Sequence, residues 1–324
     1  MKKIDVVKKI LKNEFGCNPK NKSGNAFAPA NIALCKYWGK RDVELNLPVT
    51  SSLSISLGEK GAHTTISLSD ESFDKIKVNG EFISPDTVFA QRLVSFLDLF
   101  RPLEKESFFV ETNSNIPIGA GLASSACGFA ALIQALDALF GWELQKKELS
   151  ILARLGSGSA CRSLWQGFVK WNVGVSADGM DSFAEPLLMK WPELRIELLT
   201  LSTEQKSISS REAMNRTVAT SPFYKDWPGV VAKDIETIEK ALLEKDFSSF
   251  GKAVESNAIA MHALMLTASP SILYSKPETI ALIKKIWQKR AEGLKVYFTQ
   301  DAGPNLKLLF LAADAAEIKK SFLE

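Results

Sequence analysis

The stretch PIGAGLASSACGFAALIQAL, Pro117 to Leu136, runs two glycines and two serines straight into an apolar segment with helical spacing. A helix N-terminus leaves backbone N–H groups without partners and carries partial positive charge, so an anion is at home there. Gly119 and Gly121 have no Cβ, and a ligand oxygen can close on the main chain. Ser124 and Ser125 add hydroxyls that donate to phosphate or coordinate Mg²⁺, and the small Ala120, Ala123 and Ala126 keep the concavity open. A phosphate is the natural guest. From these residues alone, a small-residue helix packed tightly on a sheet reads as well. Two standard phosphate motifs do not fit: there is no Gly-Lys-Ser/Thr ending, and Ser124 stands where the dinucleotide fingerprint needs its third glycine.

Around this stretch the pattern mixes strands and helices. SLSISL, Ser52 to Leu57, alternates as a half-buried strand does, with HTTISLS as a candidate neighbour. KIKVNGEFI carries Asn79-Gly80 between short apolar runs, a hairpin signal. Phe108 to Glu111 and FVKWNV read as strands, Gly121 to Phe140 as a buried helix, and the region around Leu149 to Leu155 as another. Beyond a break at LLMKWPELRIELLT, flanked by Pro186 and Pro192, come helical patterns near 229–244, 247–266 and 277–291, with strands LRIELLT, KVYFT and LKLLFLA around them. The start, MKKIDVVKKILKNEF, places Ile4, Val7, Ile10 and Leu11 on one face and reads as a surface helix rather than a targeting segment; Asn18 to Asn25 reads as a loop. The expected division is a helix and linker over 1–25, an N-terminal domain over 26–190 and a C-terminal domain over 191–324. The fold class is α+β rather than a doubly wound parallel sheet.

Length and composition bound the function. A chain of 324 residues, 46% hydrophobic and 24% charged, suits a two-domain soluble protein. A net charge of +3 without a basic stripe among aromatics argues against nucleic acid, and no apolar run approaches membrane-spanning length. Cysteines 17, 35, 127 and 161 form no CxxC pair, which argues against a zinc site or a disulfide scaffold and for a reducing, cytoplasmic setting. The two histidines, His63 and His262, lie far apart with no HExxH helix or nucleophile elbow, and His262 reads as a helix-packing residue.

The form P-x-G-A-G-L-x-S-S-A resembles the phosphate loop of the GHMP small-molecule kinases. APANIALCKYWGKRDVELNLPVTSSLSISL, GSGSACRSLWQGFVKW, SSREAMNRTVATSPFY and FTQDAGPN, in order from Ala28 to Asn305, narrow the resemblance to the diphosphomevalonate decarboxylase family within that superfamily. One departure is GAGL where this subfamily often has AAGL. The resemblance implies the GHMP kinase fold, with an N-terminal domain like ribosomal protein S5 domain 2 and a ferredoxin-like C-terminal domain. It implies ATP and Mg²⁺ as cofactors, a homodimer, and phosphorylation of the tertiary 3-hydroxyl of (R)-5-diphosphomevalonate. Loss of phosphate and CO₂ then gives isopentenyl diphosphate.

Residue roles come with it. Tyr37, Trp38, Gly39, Lys40, Ser157, Gly158, Ser159 and Arg162 surround the substrate, Asn31 and Arg162 orient its carboxylate, and Ser210 and Met214 close on its diphosphate end. Asn115, Pro117, Gly119, Ala120, Gly121, Leu122, Ala123, Ser124, Ser125 and Ala126 cradle the ATP phosphates, Ser125 also serving Mg²⁺. Asp301 is the catalytic carboxylate, with Lys36 close by and Arg162 as a further catalytic group. The residue types suit such chemistry, since Tyr37 and Lys40 offer a hydroxyl and an ammonium, and Arg162 a fork that matches carboxylate or phosphate. Taken alone, Asp301 before AGPN also reads as a turn cap. Two rivals stand beside this reading, a sister kinase that does not decarboxylate and a nucleotide-binding regulator without activity.

Overall fold

In a computed structural model, which describes residues 1–102, 106–116, 124–204 and 206–323, the chain opens with helix α1 (Lys3–Leu11) and strand β1 (Ser23–Cys35). Two short strands that pair with each other follow, β2 (Lys40–Asp42) and β3 (Leu47–Pro48), and then the 17-residue β4 (Ser52–Leu68). The hairpin β5 (Lys75–Val78) and β6 (Glu81–Phe82), helix α2 (Val88–Leu97), β7 (Phe108–Ser114), α3 (Ser124–Phe140), α4 (Lys146–Gly156), β8 (Phe168–Trp171) and β9 (Ala184–Pro186) complete the N-terminal half. One sheet runs β6-β5-β7-β4-β8-β9, with β1 also paired to β4.

The long β4 corrects one sequence expectation. SLSISL and HTTISLS are not neighbours but successive halves of one strand: β1 pairs along both, from Ser23 opposite Ser67 to Cys35 opposite Leu53, with bulges between Pro29 and Asn31 and between Ala33 and Cys35. The first half pairs on its other side with β8, the second with β7. Gly58 has φ +65°, yet the chain does not turn back. A Cβ on Gly61 would lie 2.1 Å from the Ala28 carbonyl oxygen, so this glycine admits the bulged partner strand instead of making a turn. At Asn79-Gly80, by contrast, φ values of 49° and 87° make the tight hairpin that the dipeptide announces.

Strand β1 starts at Ser23, inside the stretch read as a loop, and docks on α3 at glycine distance. A Cβ on Gly24 would sit 2.0 Å from the Ala135 carbonyl oxygen and 2.5 Å from the Leu139 nitrogen. Helix α1 is likewise more than a surface helix. Val7, Ile10 and Leu11 of the expected face are buried in the same core as α3 and α4, Val6 joins them, and Ile4 at the helix start is half-buried.

The C-terminal half carries β10 (Leu194–Leu199), α5 (Ser210–Thr220), α6 (Trp227–Glu244), α7 (Phe247–Leu266), α8 (Pro277–Ala291), β11 (Val296–Gln300), β12 (Leu306–Leu311) and α9 (Ala315–Phe322). Its antiparallel sheet runs β10-β12-β11. The three long helical periods fall on α6, α7 and α8. Helices α2 and α5 lie outside the expected elements; each begins at a side-chain cap, Thr87 and Ser209. Among the described residues no helix is long and apolar enough to cross a membrane. The halves share hydrophobic contacts: Leu34, Cys35, Trp38 and Leu53 pack in one buried cluster with Met214, Trp227, Phe250 and Leu309. The end of β1 is thereby held inside the second half's core.

Because Gly24 meets backbone rather than a yielding side chain, Gly24→Ala is expected to destabilise the protein by about 1–3 kcal/mol, read as a lower denaturation midpoint at unchanged slope. A wild-type midpoint would show that the contact of β1 with α3 is looser than this geometry.

Candidate active site

Burial selects the centre of the site. Lys36 and Lys307 have side chains only 3% and 1% exposed, and both bond one carboxylate. Lys36, just beyond β1, donates from Nζ to Asp301 Oδ1 at 2.7 Å and to the Ala33 carbonyl at 2.8 Å. Lys307, on β12, donates from Nζ to Asp301 Oδ2 at 2.8 Å. Burial by itself would raise the Asp301 pKa, but the Lys307 and Lys36 ammoniums override it and hold the carboxyl well below the usual carboxylate range. Lys36 is pulled down by burial, with Asp301 opposing that shift.

The turn after β11 is fixed from several sides. Gln300 Nε2 donates to the Gly303 carbonyl at 2.9 Å, Thr279 Oγ1 to the Pro304 carbonyl at 2.9 Å, and Asn305 Oδ1 accepts from the Leu201 and Ser202 amides at 2.8 and 3.0 Å. His262 Nε2 lies 3.1 Å from the Asp301 carbonyl; a carbonyl only accepts, so Nε2 carries the proton. Burial pushes the His262 pKa down to about 4, which keeps the ring neutral. On the other side, Asn257 of α7 accepts from the Lys36 amide at 2.7 Å and donates to Asp234 of α6 at 2.8 Å. Thr299 Oγ1 donates to the Ala33 carbonyl at 3.3 Å, a direct bond between the two halves.

A second group of residues gathers around Arg162, in the tight turn Gly158–Arg162 after α4. Its guanidinium is 2% exposed, donates to Ser52 Oγ at 2.5 Å and Asn31 Oδ1 at 3.4 Å, and leaves Nε buried without a partner. Asn31 is itself oriented by a 2.6 Å bond to Ser163 Oγ. The Tyr37 ring packs 4.8 Å from Trp171, and its hydroxyl is also buried without a partner. A Cβ on Gly158 would come within 2.8 Å of that ring, so the glycine is required by Tyr37. Ser157 and Ser159 stand beside it with their hydroxyls 3.4 Å apart. Buried polar atoms without partners are costly, and two of them lie in this group.

Lys40 donates to Asn46 Oδ1 at 2.7 Å, and its pKa is brought down to about 8, first by burial and then by the charges of Arg211, Lys3 and Arg92. Gly39, at φ +115°, lies where a Cβ would meet the Tyr224 hydroxyl at 1.7 Å. That hydroxyl donates to the Trp38 carbonyl at 3.0 Å. Trp38 and Met214 are core residues of the second half, and Ser210 opens α5. For the phosphate cradle, Pro117, Gly119, Ala120, Gly121, Leu122 and Ala123 lie outside the described residues. Ser124 and Ser125 begin α3, Ser125 half-buried, and Ala126 faces the core at 0% exposure. The Asn115 amide is engaged by β4, accepting from Gly61 N at 2.7 Å and donating to the Glu59 carbonyl at 2.8 Å, so it anchors the strand end before the loop.

Sequence reasoning missed Lys307, His262 as a neighbour of Asp301, Asn257, Ser52 and Arg211. Lys307 left a trace, a lysine inside the apolar run LKLLFLA, and Ser52 and Arg211 stand within quoted segments without being singled out; His262 and Asn257 show no signal before the chain folds.

The mixed sheets, the shared junction and the carboxylate clamp belong to a GHMP kinase fold. The description "Diphosphomevalonate decarboxylase-like N-terminal domain" matches residues 28–184, and "Mevalonate 5-diphosphate decarboxylase C-terminal domain" matches 196–324. The diphosphomevalonate decarboxylase of Candida albicans is 37% identical over 312 residues, 91% of this chain and 86% of the relative. The solved mevalonate diphosphate decarboxylase of Staphylococcus aureus superposes with a TM-score of 0.87 at 34% identity, covering 93% of this chain and 92% of that one. A structure of MDDEF in complex with MVAPP, AMPPCP and magnesium gives a TM-score of 0.85 at 39% identity, covering 92% of each chain. The chain belongs to the diphosphomevalonate decarboxylase family.

His262 titrates below its ordinary 6.5 in the fold, so between about 6.5 and about 4 the unfolded chain binds the proton and the native chain does not. Its contribution to stability is full above that window and fades as pH falls through it. The thermal midpoint of wild type is expected to drop more steeply across this window than that of His262→Gln; parallel curves would remove His262 as the cause.

Proposed function

We propose that this protein catalyses the ATP- and Mg²⁺-dependent decarboxylation of (R)-5-diphosphomevalonate to isopentenyl diphosphate, with release of ADP, phosphate and CO₂. The observation that carries this reading is the Lys36–Asp301–Lys307 clamp, drawn from both halves, together with the unpartnered Tyr37 hydroxyl and Arg162 Nε. The relative solved with MVAPP, AMPPCP and magnesium supports the choice of ligands. Domains over 26–190 and 191–324, a cytoplasmic location and a homodimeric assembly belong to the same proposal; the four free cysteines suit the reducing compartment.

The residues present fit the nucleotide and its metal. Helix α3 offers first-turn amides and Ser125. Ser125 would hold Mg²⁺ beside the nucleotide phosphates. Bound Mg²⁺–ATP supplies the phosphoryl group and neutralises its charge.

The protein's share is positioning and proton handling. The Asp301 carboxylate, whose side chain is 28% exposed, accepts a hydrogen bond from the 3-hydroxyl and orients it. Two ammoniums lower its basicity, so Asp301 does not form an alkoxide beforehand; it takes the proton late, once attack on phosphorus has acidified the hydroxyl. Arg162, held by Ser52 and Asn31, orients the substrate carboxylate. That group loses its charge as CO₂ forms, so a tight clamp would stabilise the ground state and oppose the step. A guanidinium already engaged by the protein orients without clamping.

Incubation of the protein with ATP, Mg²⁺ and diphosphomevalonate is expected to yield isopentenyl diphosphate and CO₂. ADP without CO₂ would make it a kinase, and ATP binding without turnover a regulator. Asp301→Asn is expected to keep ligand binding in equilibrium titration while single-turnover phosphoryl transfer falls ~10²–10⁴-fold; near-wild-type product formation would refute its role. Arg162→Gln is expected to slow the decarboxylating step itself. An intact rate with weaker binding alone would contradict the orienting role.

A further inference from the structure

One half-buried carboxylate next to the clamp takes no part in the chemistry above. Asp234, on α6, accepts at Oδ2 from Asn257 Nδ2 at 2.8 Å, and Asn257 Oδ1 in turn accepts from the Lys36 amide at 2.7 Å. Asn257 is 0% exposed, inside α7. The segment held in this way is the one that delivers the Lys36 ammonium. Lys36 Nζ reaches Asp301 Oδ1 and turns back to the Ala33 carbonyl, while the Cys35 thiol donates to the Val231 carbonyl of α6 at 3.8 Å. The Cys35–Lys36 step is thus stapled to two helices of the second half.

A side-chain amide has two ends of nearly equal size and opposite polarity. Were Asn257 rotated by half a turn, its NH₂ would face the Lys36 N–H, donor against donor. An ionised carboxylate only accepts, so Asp234 takes Nδ2 and leaves Oδ1 for Lys36. Both partners of Asn257 have fixed polarity, and both demand the same orientation. We propose that Asp234 is a positioning residue for the reaction: through Asn257 it locks the backbone of Lys36, and with it the ammonium that meets Asp301. The proposal rests on the functional reading above. Stability does not account for the residue. Burial raises the Asp234 pKa, with the Asn257 bond and Lys233 opposing. A carboxyl raised in the fold holds its proton more tightly in the native chain than in the unfolded one, so once ionised it detracts from stability. A charge kept at such a cost fits a group retained for orientation.

The test compares Asp234→Leu, Asp234→Asn and, as control, Glu236→Leu on the exposed side of α6. The fully buried Asn257 is left intact, so a folding defect there does not enter. Asp234→Leu is expected to lower kcat about ten- to a hundredfold. KM for ATP and for diphosphomevalonate should stay within about twofold, because alignment is lost rather than ground-state binding. Asp234→Asn keeps an acceptor for Asn257 Nδ2 and should hold kcat within about threefold of wild type. Neither variant should lower the thermal midpoint at pH 8, and Glu236→Leu should leave kcat unchanged. Hydrogen–deuterium exchange over the peptide containing Lys36 reads the lock without turnover; it should quicken in Asp234→Leu and not in Asp234→Asn. Wild-type kcat in Asp234→Leu overturns the proposal. So does a loss shared by Glu236→Leu, a loss that Asp234→Asn fails to rescue, or a fall in kcat that tracks a fallen midpoint. In a protein that releases no CO₂, Lys36 exchange that depends on Asp234 would leave the lock standing and sink the catalytic reading; turnover with no such dependence would do the reverse.

Discussion

One carboxylate shared by two buried ammoniums is the interaction on which the junction of this molecule depends. Lys36 and Lys307 are almost fully withdrawn from water, and each would be costly there without a partner. Asp301 answers both. Because Lys36 stands at the end of β1 while Asp301 and Lys307 stand on the β11–β12 hairpin, docking of the two sheets and neutralisation of the charges are one event. The triad sets two ammoniums against one carboxylate, whose side chain is 28% exposed. Such a centre suits a reaction in which phosphate oxygens arrive and negative charge builds on them.

The surrounding bonds explain how so polar a cluster keeps its geometry. Asn257 ties the Lys36 amide to α6 and α7, and His262 of α7 holds the Asp301 carbonyl. Helix α7 therefore holds both members of the Lys36–Asp301 pair by their backbones, which leaves the side chains free to meet. A neutral histidine is the right choice for this place: a cation there would add a third positive charge against one carboxylate, and burial disfavours it.

The legible part of the fold follows from local periodicity. Helices α6, α7 and α8 alternate apolar and polar faces over many turns, and Asn79-Gly80 needs no context to make its turn. Strand β1 is harder to read because it is bulged twice and contains a proline and a glycine, each of which signals a break when taken locally. Those residues are tolerated since β1 lies along one edge of β4 and packs at glycine distance on α3. At the site, Lys36, Tyr37, Lys40, Arg162 and Asp301 stand in motifs that the sequence displays. Lys307 shows itself only as a charge in an apolar strand, and His262, Lys3 and Arg92 only through neighbours far along the chain. Long-range electrostatics leaves no mark on spacing, so it becomes visible when the chain folds.

The two cationic regions differ in a way that divides the labour of binding. Lys36 and Lys307 are buried, fixed by hydrogen bonds and held to a carboxylate. Arg92 and Arg211 are exposed and Lys3 and Lys40 half-buried; Lys40 bonds the Asn46 amide oxygen, and among the described residues none of the four is ion-paired with a carboxylate. A rigid, pre-paired cluster contributes little to initial capture but sets atoms in place; an open, unpaired one captures a polyanion and is screened by salt. On the proposed reading, a substrate with a diphosphate at one end and its reacting hydroxyl and carboxylate at the other meets both. Attraction at the open end then offsets the loss of freedom needed to align the hydroxyl with Asp301 and the carboxylate with Arg162. Binding energy gained far from the chemistry is thus converted into orientation at it.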